Sequence, residues 1–167
     1  MRKTIAFFML IICISCNAST FNKKTHYEVC FTPGDNCDVL IANTISHAER
    51  LILIQAYHLT NKKIIEAILD RNKSGVTINI LLDKTALKEA TIFKENGINV
   101  LIDSKPRIAH NKVIIIDGKT VVTGSFNFTE SAQLSNAENV IIIDNKALAK
   151  KYTANYKSRY KESSQVE

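Results

Sequence analysis

Two short segments of the sequence, HNK and GSFN, carry side chains suited to acid–base or nucleophilic chemistry. Alternate residues of a β-strand project to the same face, so His110 should lie beside Lys112, and Ser125 beside Asn127. An Asp-Gly pair between the segments predicts a hairpin that brings them level with each other. The set suits a phosphate group: the ammonium supplies charge, the hydroxyl and carboxamide supply hydrogen bonds, and the imidazole attacks or transfers a proton.

The same residues belong to a longer pattern, HxK(x)4D(x)6GSxN, which starts at His110 and contains Asp117. This pattern resembles the signature of the phospholipase D superfamily. Over residues 28–160 the chain resembles the small, single-motif bacterial endonucleases of that superfamily. Its CFTP and QAY segments also resemble those of short secreted members, which include bacterial proteins called phospholipase D.

The resemblance implies a phosphodiesterase that works through a phosphohistidine intermediate, without a metal or another cofactor. His110 would be the nucleophile. Lys112 and Asn127 would hold the phosphate oxygens, and Ser125 would lie in the same pocket. Glu138 matches the acid that hydrogen-bonds and orients the histidine, which a nucleophilic imidazole needs.

Asp117 matches the aspartate of the motif and is therefore placed among the catalytic residues with His110, Lys112 and Glu138. It also occupies the first position of an Asp-Gly turn, where its carboxylate would cap the hairpin. The sequence leaves both roles open.

Larger members of the superfamily carry two motifs, whereas this chain carries one. The resemblance implies a second histidine that protonates the leaving oxygen, yet none of His26, His47 and His58 is followed by a lysine two residues later. We therefore predict a two-fold homodimer with the active site at its interface. Both copies of His110 would meet at the axis, because an isologous interface places equivalent residues near each other.

Apolar runs alternate with helical patterns and predict one α/β domain over residues 19–167. The βαβαβαβ order up to residue 102 favours a mixed, mostly parallel sheet flanked by helices, the phospholipase D-like fold. The first helix should begin at Asp35 or Asn36 and the second at Thr60. The hairpin, a last strand and a basic helix should follow.

Residues 1–18 have the pattern of a signal peptide, with a basic start, an apolar stretch and small residues before the end. The apolar stretch is shorter than the roughly 20 residues that span a bilayer. We expect cleavage near Ala18 and a secreted or periplasmic protein. An acylated Cys16 and an uncleaved N-terminus that anchors the chain in a membrane are the alternatives.

After such cleavage the chain keeps two cysteines, Cys30 and Cys37, on either side of a Pro-Gly turn. In an oxidising compartment this pair predicts a disulfide, with two reduced, buried thiols as the alternative. The two cysteines have no nearby histidine–cysteine cluster to complete a ligand set, so no metal site is predicted.

The formal net charge of +6 favours an anionic partner without choosing between nucleic acid and lipid. The first hypothesis is an endonuclease on DNA or RNA that recognises the backbone phosphate and has no sequence preference. The second is a secreted phospholipase D that hydrolyses phosphatidylcholine-type lipids to phosphatidic acid and the head group. An exposed apolar rim would favour the lipid, and the sequence indicates no obvious loop for it. A binding protein with an inactive site is the third.

Overall fold

The computed structural model describes Thr20 and residues 25–165, which form one α/β domain. The predicted leader, its cleavage near Ala18 and the acylation alternative at Cys16 lie outside the described residues. Within the described part, no helix combines the length and the apolar character that crossing a membrane requires.

The described residues contain eight strands and five helices. The strands are β1 His26–Thr32, β2 Leu51–Ala56, β3 Thr77–Asp83, β4 Asn99–Asp103, β5 Lys112–Ile116, β6 Thr120–Gly124, β7 Glu138–Asp144 and β8 Ser164–Gln165. The helices are α1 Cys37–Ser46, α2 Lys62–Lys73, α3 Leu87–Glu95, α4 Glu130–Leu134 and α5 Lys146–Glu162. The strands form a single sheet in the order β1-β7-β6-β5-β2-β3-β4-β8.

The sheet is mixed, as predicted, but the prediction that it is mostly parallel was wrong for the pairing of neighbours. Among the described strands only β2–β3 and β3–β4 are parallel pairs, and the other five neighbouring pairs are antiparallel. The parallel pairs are joined through the longer helices α2 and α3, whereas β6 and β7, joined through the short helix α4, pair antiparallel. The strand β5 pairs antiparallel with β2, and β7 pairs antiparallel with β1. These pairings join distant parts of the chain, and the order of strands and helices along the sequence does not indicate them.

The two faces of the sheet are covered unequally. Helices α1 to α4 lie on one face, where buried side chains such as Ile45, Ile68 and Phe93 pack against the even-numbered residues of β2 and β5. The other face, which we call the α5 face, packs Ala149 and Tyr156 against the odd-numbered residues. Because both faces of the central strands are covered, these strands are continuous apolar runs.

The loop before α2 is hydrogen-bonded to the loop that follows β6. Asn61, rather than the predicted Thr60, begins the helix, and its side chain accepts a hydrogen bond from Ile64 N at 3.2 Å. Thr60 N and Asn61 N both donate to the backbone oxygen of Phe128, at 2.8 and 2.9 Å. The first helix begins after Asn36, one of the two predicted positions, although the Asn36 side chain makes no capping hydrogen bond. The elements α4 and β8, which span few residues, were not predicted.

A disulfide joins Cys30 of β1 to Cys37 at the start of α1, as the sequence predicted. The two Cα atoms lie 5.6 Å apart, and both residues are buried in the core. The bridge therefore fastens the edge strand β1 to the helical layer.

Candidate active site

Three strand ends meet at one edge of the sheet. β5 begins at Lys112 and pairs with β6 in a register that sets Val113 opposite Thr123, so Lys112 comes level with Gly124 at the end of β6. Gly124 in turn pairs with Val140 near the start of β7. The Asp-Gly hairpin therefore brings the two sequence segments together, as predicted.

Lys112 is the buried cation of this edge, with 8% of its surface exposed. Its Nζ donates to the backbone oxygen of His110 at 2.9 Å and lies 5.6 Å from the centre of the Tyr57 ring. Burial lowers the pKa of Lys112 from its ordinary value, and the charge of Glu138 opposes this shift. The side chain is thus a partly desolvated cation that an anion would help to neutralise.

His110 is exposed, and its ring packs against the ring of Tyr57 with centroids 4.8 Å apart. The residue before it is fixed by Asp83, whose Oδ2 accepts a hydrogen bond from Ala109 N at 2.6 Å. Burial raises the pKa of Asp83, but hydrogen bonds from Ala109 and Thr85 outweigh that effect, so the pKa lies below its ordinary value. Asp83 stays ionised and holds the segment that presents the imidazole.

Ser125 and Glu138 form one hydrogen-bonded group. Ser125 Oγ donates to Glu138 Oε2 at 2.6 Å, and Asn136 Nδ2 donates to Glu138 Oε1 at 2.9 Å. Ser125 Oγ also accepts from Asn139 N at 3.0 Å. Within the described part of the chain, no hydrogen bond joins Glu138 to the His110 ring, so the predicted orienting contact is not made in the single chain.

Asn127 sits between two buried phenylalanines, Phe126 and Phe128, which hold its loop against the core. Its Oδ1 is buried without a hydrogen-bond partner among the described residues. A buried polar atom without a partner costs free energy unless a ligand or water satisfies it. Rotation of the carboxamide would place its NH2 group there, which is the donor that a phosphate oxygen requires.

Gly124 allows the close approach of β6 and β7 beside this group. A Cβ atom at this position would lie 2.1 Å from the backbone oxygen of Asn139, and the φ angle is +152°. Only glycine therefore fits here, which agrees with the requirement for glycine in the motif.

Asp117 does not lie with the other predicted site residues. It follows β5 at the opposite edge of the sheet, and its carboxylate accepts hydrogen bonds from the backbone N–H groups of Glu49, Arg50 and Leu51, each at 2.9 Å. Burial raises its pKa, but these donors outweigh the effect and the pKa lies below its ordinary value. This position does not place Asp117 with the other predicted catalytic residues. In the described part of the chain its carboxylate binds the backbone of residues 49–51 and not its own Asp-Gly turn, so the predicted hairpin cap is not formed either.

Sequence reasoning missed Tyr57, whose ring packs against His110, and the contacts that continue from it to His58 and Glu89. Tyr57 contacts the rings of both His110 and His58, with centroids 4.8 and 4.3 Å apart. His58 Nδ1 lies 2.9 Å from Glu89 Oε1. The QAYHLT segment contains Tyr57 and His58, and its place after a buried strand was the available signal. Only the pairing of β2 with β5 brings them to His110.

Among Thr20 and residues 25–165, no group of three or more histidine, cysteine, aspartate and glutamate side chains is placed to hold a metal ion. The expectation of a reaction without a metal stays a prediction. The described groups can perform nucleophilic attack through His110, bind phosphate oxygens through Lys112 and donate a hydrogen bond from Asn127. The single O–H of Ser125 is donated to Glu138.

The segments that carry His110, Lys112 and Asn127 meet at one end of the β5–β6 hairpin, which is the arrangement that the resemblance to the phospholipase D superfamily predicts. The family model described as "Cardiolipin synthase, PLD-like domain" matches residues 41–160. The chain belongs to the phospholipase D superfamily. It is therefore a hydrolase of phosphodiesters.

Named relatives and a solved structure agree with this assignment. A protein called phospholipase D from Rickettsia felis is 44% identical over 156 residues, which cover 85% of this chain and 78% of that protein. A mitochondrial cardiolipin hydrolase from Chlamydomonas reinhardtii is 31% identical over 130 residues, covering 75% of this chain and 57% of that protein. The crystal structure of Nuc, a phospholipase D family member from Salmonella typhimurium, superimposes with a TM-score of 0.80 at 32% identity, covering 85% and 98% of the two chains.

Proposed function

We propose that this protein hydrolyses the backbone phosphodiester of DNA or RNA without sequence preference and without a metal. Exposed cations around the nucleophile support the choice of a polyanion. Lys105 and Arg107 lie exposed on the segment that leads to His110, and Lys84 follows β3 at the same edge of the sheet. A row of cations beside the reacting centre follows a phosphate backbone and carries no sequence information.

The proposed reaction has two steps. An imidazole nitrogen of His110 attacks phosphorus and forms an N–P bond while the bond to the leaving oxygen breaks. His110 of a second copy gives its proton to that oxygen. Water then attacks phosphorus, returns a proton to the second imidazole, and the N–P bond breaks to release a phosphomonoester.

The homodimer is part of this proposal because the single chain presents one nucleophilic imidazole to the site. A surface that suits a second copy lies on the α5 face. Tyr27, Val29 and Phe31, which we call the β1 stripe, point outward from the edge strand and are 63%, 44% and 57% exposed. The helix α5 packs against β2, β4, β5 and β6, and the β1 stripe lies on the edge strand, two places beyond β6 in the sheet.

The β1 stripe runs directly to the active site. Its last member, Phe31, pairs with Asn139, and the following residue, Thr32, pairs with Glu138. A second copy that buries the stripe therefore also borders the Ser125–Glu138 group. Burial of three large apolar side chains would stabilise such an interface by several kcal/mol, at about 25 cal/mol per Å² of apolar surface.

The dimer is tested by mixing wild-type protein with the His110→Ala variant, under conditions in which subunits exchange. If each site needs both histidines, an equal mixture should retain about one quarter of the wild-type activity, because only that fraction of dimers has two wild-type copies. A value near one half would show that each chain works alone, as would full activity from a monomer in analytical ultracentrifugation.

A phospholipase D that releases the head group of phosphatidylcholine-type lipids is the second candidate. The structure reveals exposed apolar side chains near the site that the sequence analysis did not find. Ile108 lies two residues before His110 and is 45% exposed, and Leu134, in the helix before β7, is 74% exposed. The name of the Rickettsia felis relative also supports this candidate.

The two candidates are separated by offering plasmid DNA and phosphatidylcholine vesicles to the purified protein lacking residues 1–18, in EDTA. We expect DNA nicking that disappears in His110→Ala. That substitution removes the nucleophile, and its side chain is exposed, so the fold should be retained. Choline release without nicking would overturn the nuclease in favour of the lipase. Activity that EDTA abolishes would contradict the metal-independent reaction.

We also propose that the chain is exported through residues 1–18 and works in a secreted or periplasmic form. The Cys30–Cys37 disulfide supports an oxidising compartment. Mass spectrometry of the protein from culture medium, periplasm and membranes tests this proposal. An N-terminus at residue 19 is expected, and an intact or acylated N-terminus in the membrane fraction would contradict it.

A further inference from the structure

A cavity of about 320 Å³ opens on the α5 face, at the edge of the sheet that carries the active site. None of the residues discussed so far as catalytic lines it. Its walls come from β2, from the start of β5 and from α5, and the lining residues are Gln55, Asn111, Val113, Lys151, Tyr152 and Asn155.

The cavity and the nucleophile share a wall. Asn111 follows His110 directly, and its backbone oxygen accepts a hydrogen bond from Tyr57 N at 3.0 Å. Tyr57 packs against the His110 ring, and Gln55 precedes it by two residues on β2. Residues two apart on a strand lie roughly 7 Å apart on the same face, so the cavity begins next to the reacting centre.

The chemistry of the lining selects against cations. It contains three carboxamides, an ammonium and a phenol, and none of the lining residues is an acid. Gln55 Nε2 donates to Asn155 Oδ1 at 3.4 Å, a long hydrogen bond that a ligand could replace. Choline-type head groups are bound by cages of several aromatic side chains. Tyr152 is the single aromatic residue among those that line this cavity, so the lining does not favour choline. Amide donors and a lysine suit the oxygens of an anion.

We propose that this cavity binds a phosphate adjacent to the scissile one on a nucleic-acid strand. The inference rests on the proposed nuclease function and deepens it, because it names a second contact that favours a strand over a substrate with a single phosphate. The basic groups around His110 and the cavity lie at the same edge of the sheet, so one strand can contact both. Lys151 supplies the charge, and the Asn111 and Asn155 carboxamides supply hydrogen bonds.

The test compares a short single-stranded oligonucleotide with bis(4-nitrophenyl) phosphate, a diester that has no second phosphate. Asn155→Asp keeps an oxygen for the hydrogen bond from Gln55 and places a carboxylate in the cavity. We expect KM for the oligonucleotide to rise on the order of tenfold, because like charges at close range repel. Hydrolysis of the small diester should change less than twofold.

A matched pair of lysine variants separates the cavity from the general charge of α5. Lys151→Gln and Lys150→Gln remove the same charge from neighbouring positions, and only Lys151 lines the cavity. Lys151→Gln should raise the oligonucleotide KM several-fold more than Lys150→Gln. Equal effects of the two variants would overturn the proposal.

The measurements distinguish failure of the cavity assignment from failure of the proposed nuclease function. If the wild-type protein hydrolyses the small diester but not the oligonucleotide, the nuclease proposal fails and this inference fails with it. If it cleaves both and Asn155→Asp leaves the oligonucleotide KM unchanged, only the cavity assignment fails. Cardiolipin vesicles form a third arm, since that lipid has two phosphates. If Asn155→Asp impaired hydrolysis of the vesicles alone, the cavity would bind a lipid phosphate, and its assignment to a nucleic-acid strand would be overturned.

Discussion

The two ends of the β5–β6 hairpin use polar side chains in opposite ways. At the turn, the Asp117 carboxylate accepts three backbone N–H groups from residues 49–51. At the other end, Lys112 is a buried cation whose Nζ donates to a backbone oxygen, and Asn127 Oδ1 has no partner among the described residues. One end is closed by the chain itself, and the other is left open to a ligand.

This difference separates stability from function along a single hairpin. A buried polar group whose hydrogen bonds are all made contributes to folding, whereas one left incomplete costs free energy until something binds. Natural proteins accept such costs at functional sites. The contrast predicts that substitutions at the two ends have opposite consequences for activity and unfolding.

Replacing Lys112 with methionine should give the largest effect and change activity alone. A charge-assisted hydrogen bond to phosphate contributes about 1.5–3 kcal/mol, so kcat/KM for bis(4-nitrophenyl) phosphate should fall by about 10- to 100-fold. The melting temperature should stay the same or rise, because a buried cation is exchanged for an apolar side chain of similar length. A large loss of stability in this variant would contradict the contrast.

Replacing Asp117 with alanine should show the reverse pattern. Three backbone N–H groups lose their acceptor, and the free energy of unfolding should fall by about 1–3 kcal/mol in urea denaturation. The folded variant should keep its kcat/KM, because Asp117 lies at the far edge of the sheet. Loss of activity in a fully folded variant would restore Asp117 to the catalytic group.

The Asp117→Asn variant tests the stabilising role of Asp117 through the pH dependence of unfolding. The pKa of Asp117 is lowered in the folded state, so its ionised form stabilises the fold above the unfolded pKa of about 3.9. That contribution is lost as the pH falls through the lower, folded pKa. The advantage of wild type over the variant should therefore be constant near neutral pH and shrink progressively as the pH falls below about 3.9, as measured by urea midpoints. A difference that stays constant at low pH would show that ionisation has no role.

The smallest expected effect is on the KM for phosphodiesters at alkaline pH. Burial lowers the pKa of Lys112, so its charge is lost at a lower pH than that of an exposed lysine. Phosphodiester KM should rise on the alkaline side, and Lys112→Arg, which stays charged, should move that rise to higher pH. Identical profiles for the two proteins, measured from pH 6 to pH 10.5, would show that another group titrates.

The sequence was sufficient for the local parts of the site. The segments that carry His110, Lys112, Ser125 and Asn127 lie level with each other as predicted, because strand alternation and an Asp-Gly turn are properties of neighbouring residues. The predicted contact of Glu138 with His110 was not seen, since Glu138 instead accepts hydrogen bonds from Ser125 and Asn136. The contacts of Tyr57 and Asp83 with the segment around His110 could not be predicted, because these partners are distant in the chain.

What the sequence by itself determined is the set of reacting groups, the hairpin that presents them, the superfamily and the spacing of the disulfide. These depend on local periodicity and turn geometry. Only the tertiary structure decided the mostly antiparallel neighbours, the binding of the Asp117 carboxylate to the backbone of residues 49–51 and the cavity beside His110. Each of these depends on which strands lie side by side, and that choice comes from the packing of the whole chain, since any apolar strand can pair with several others.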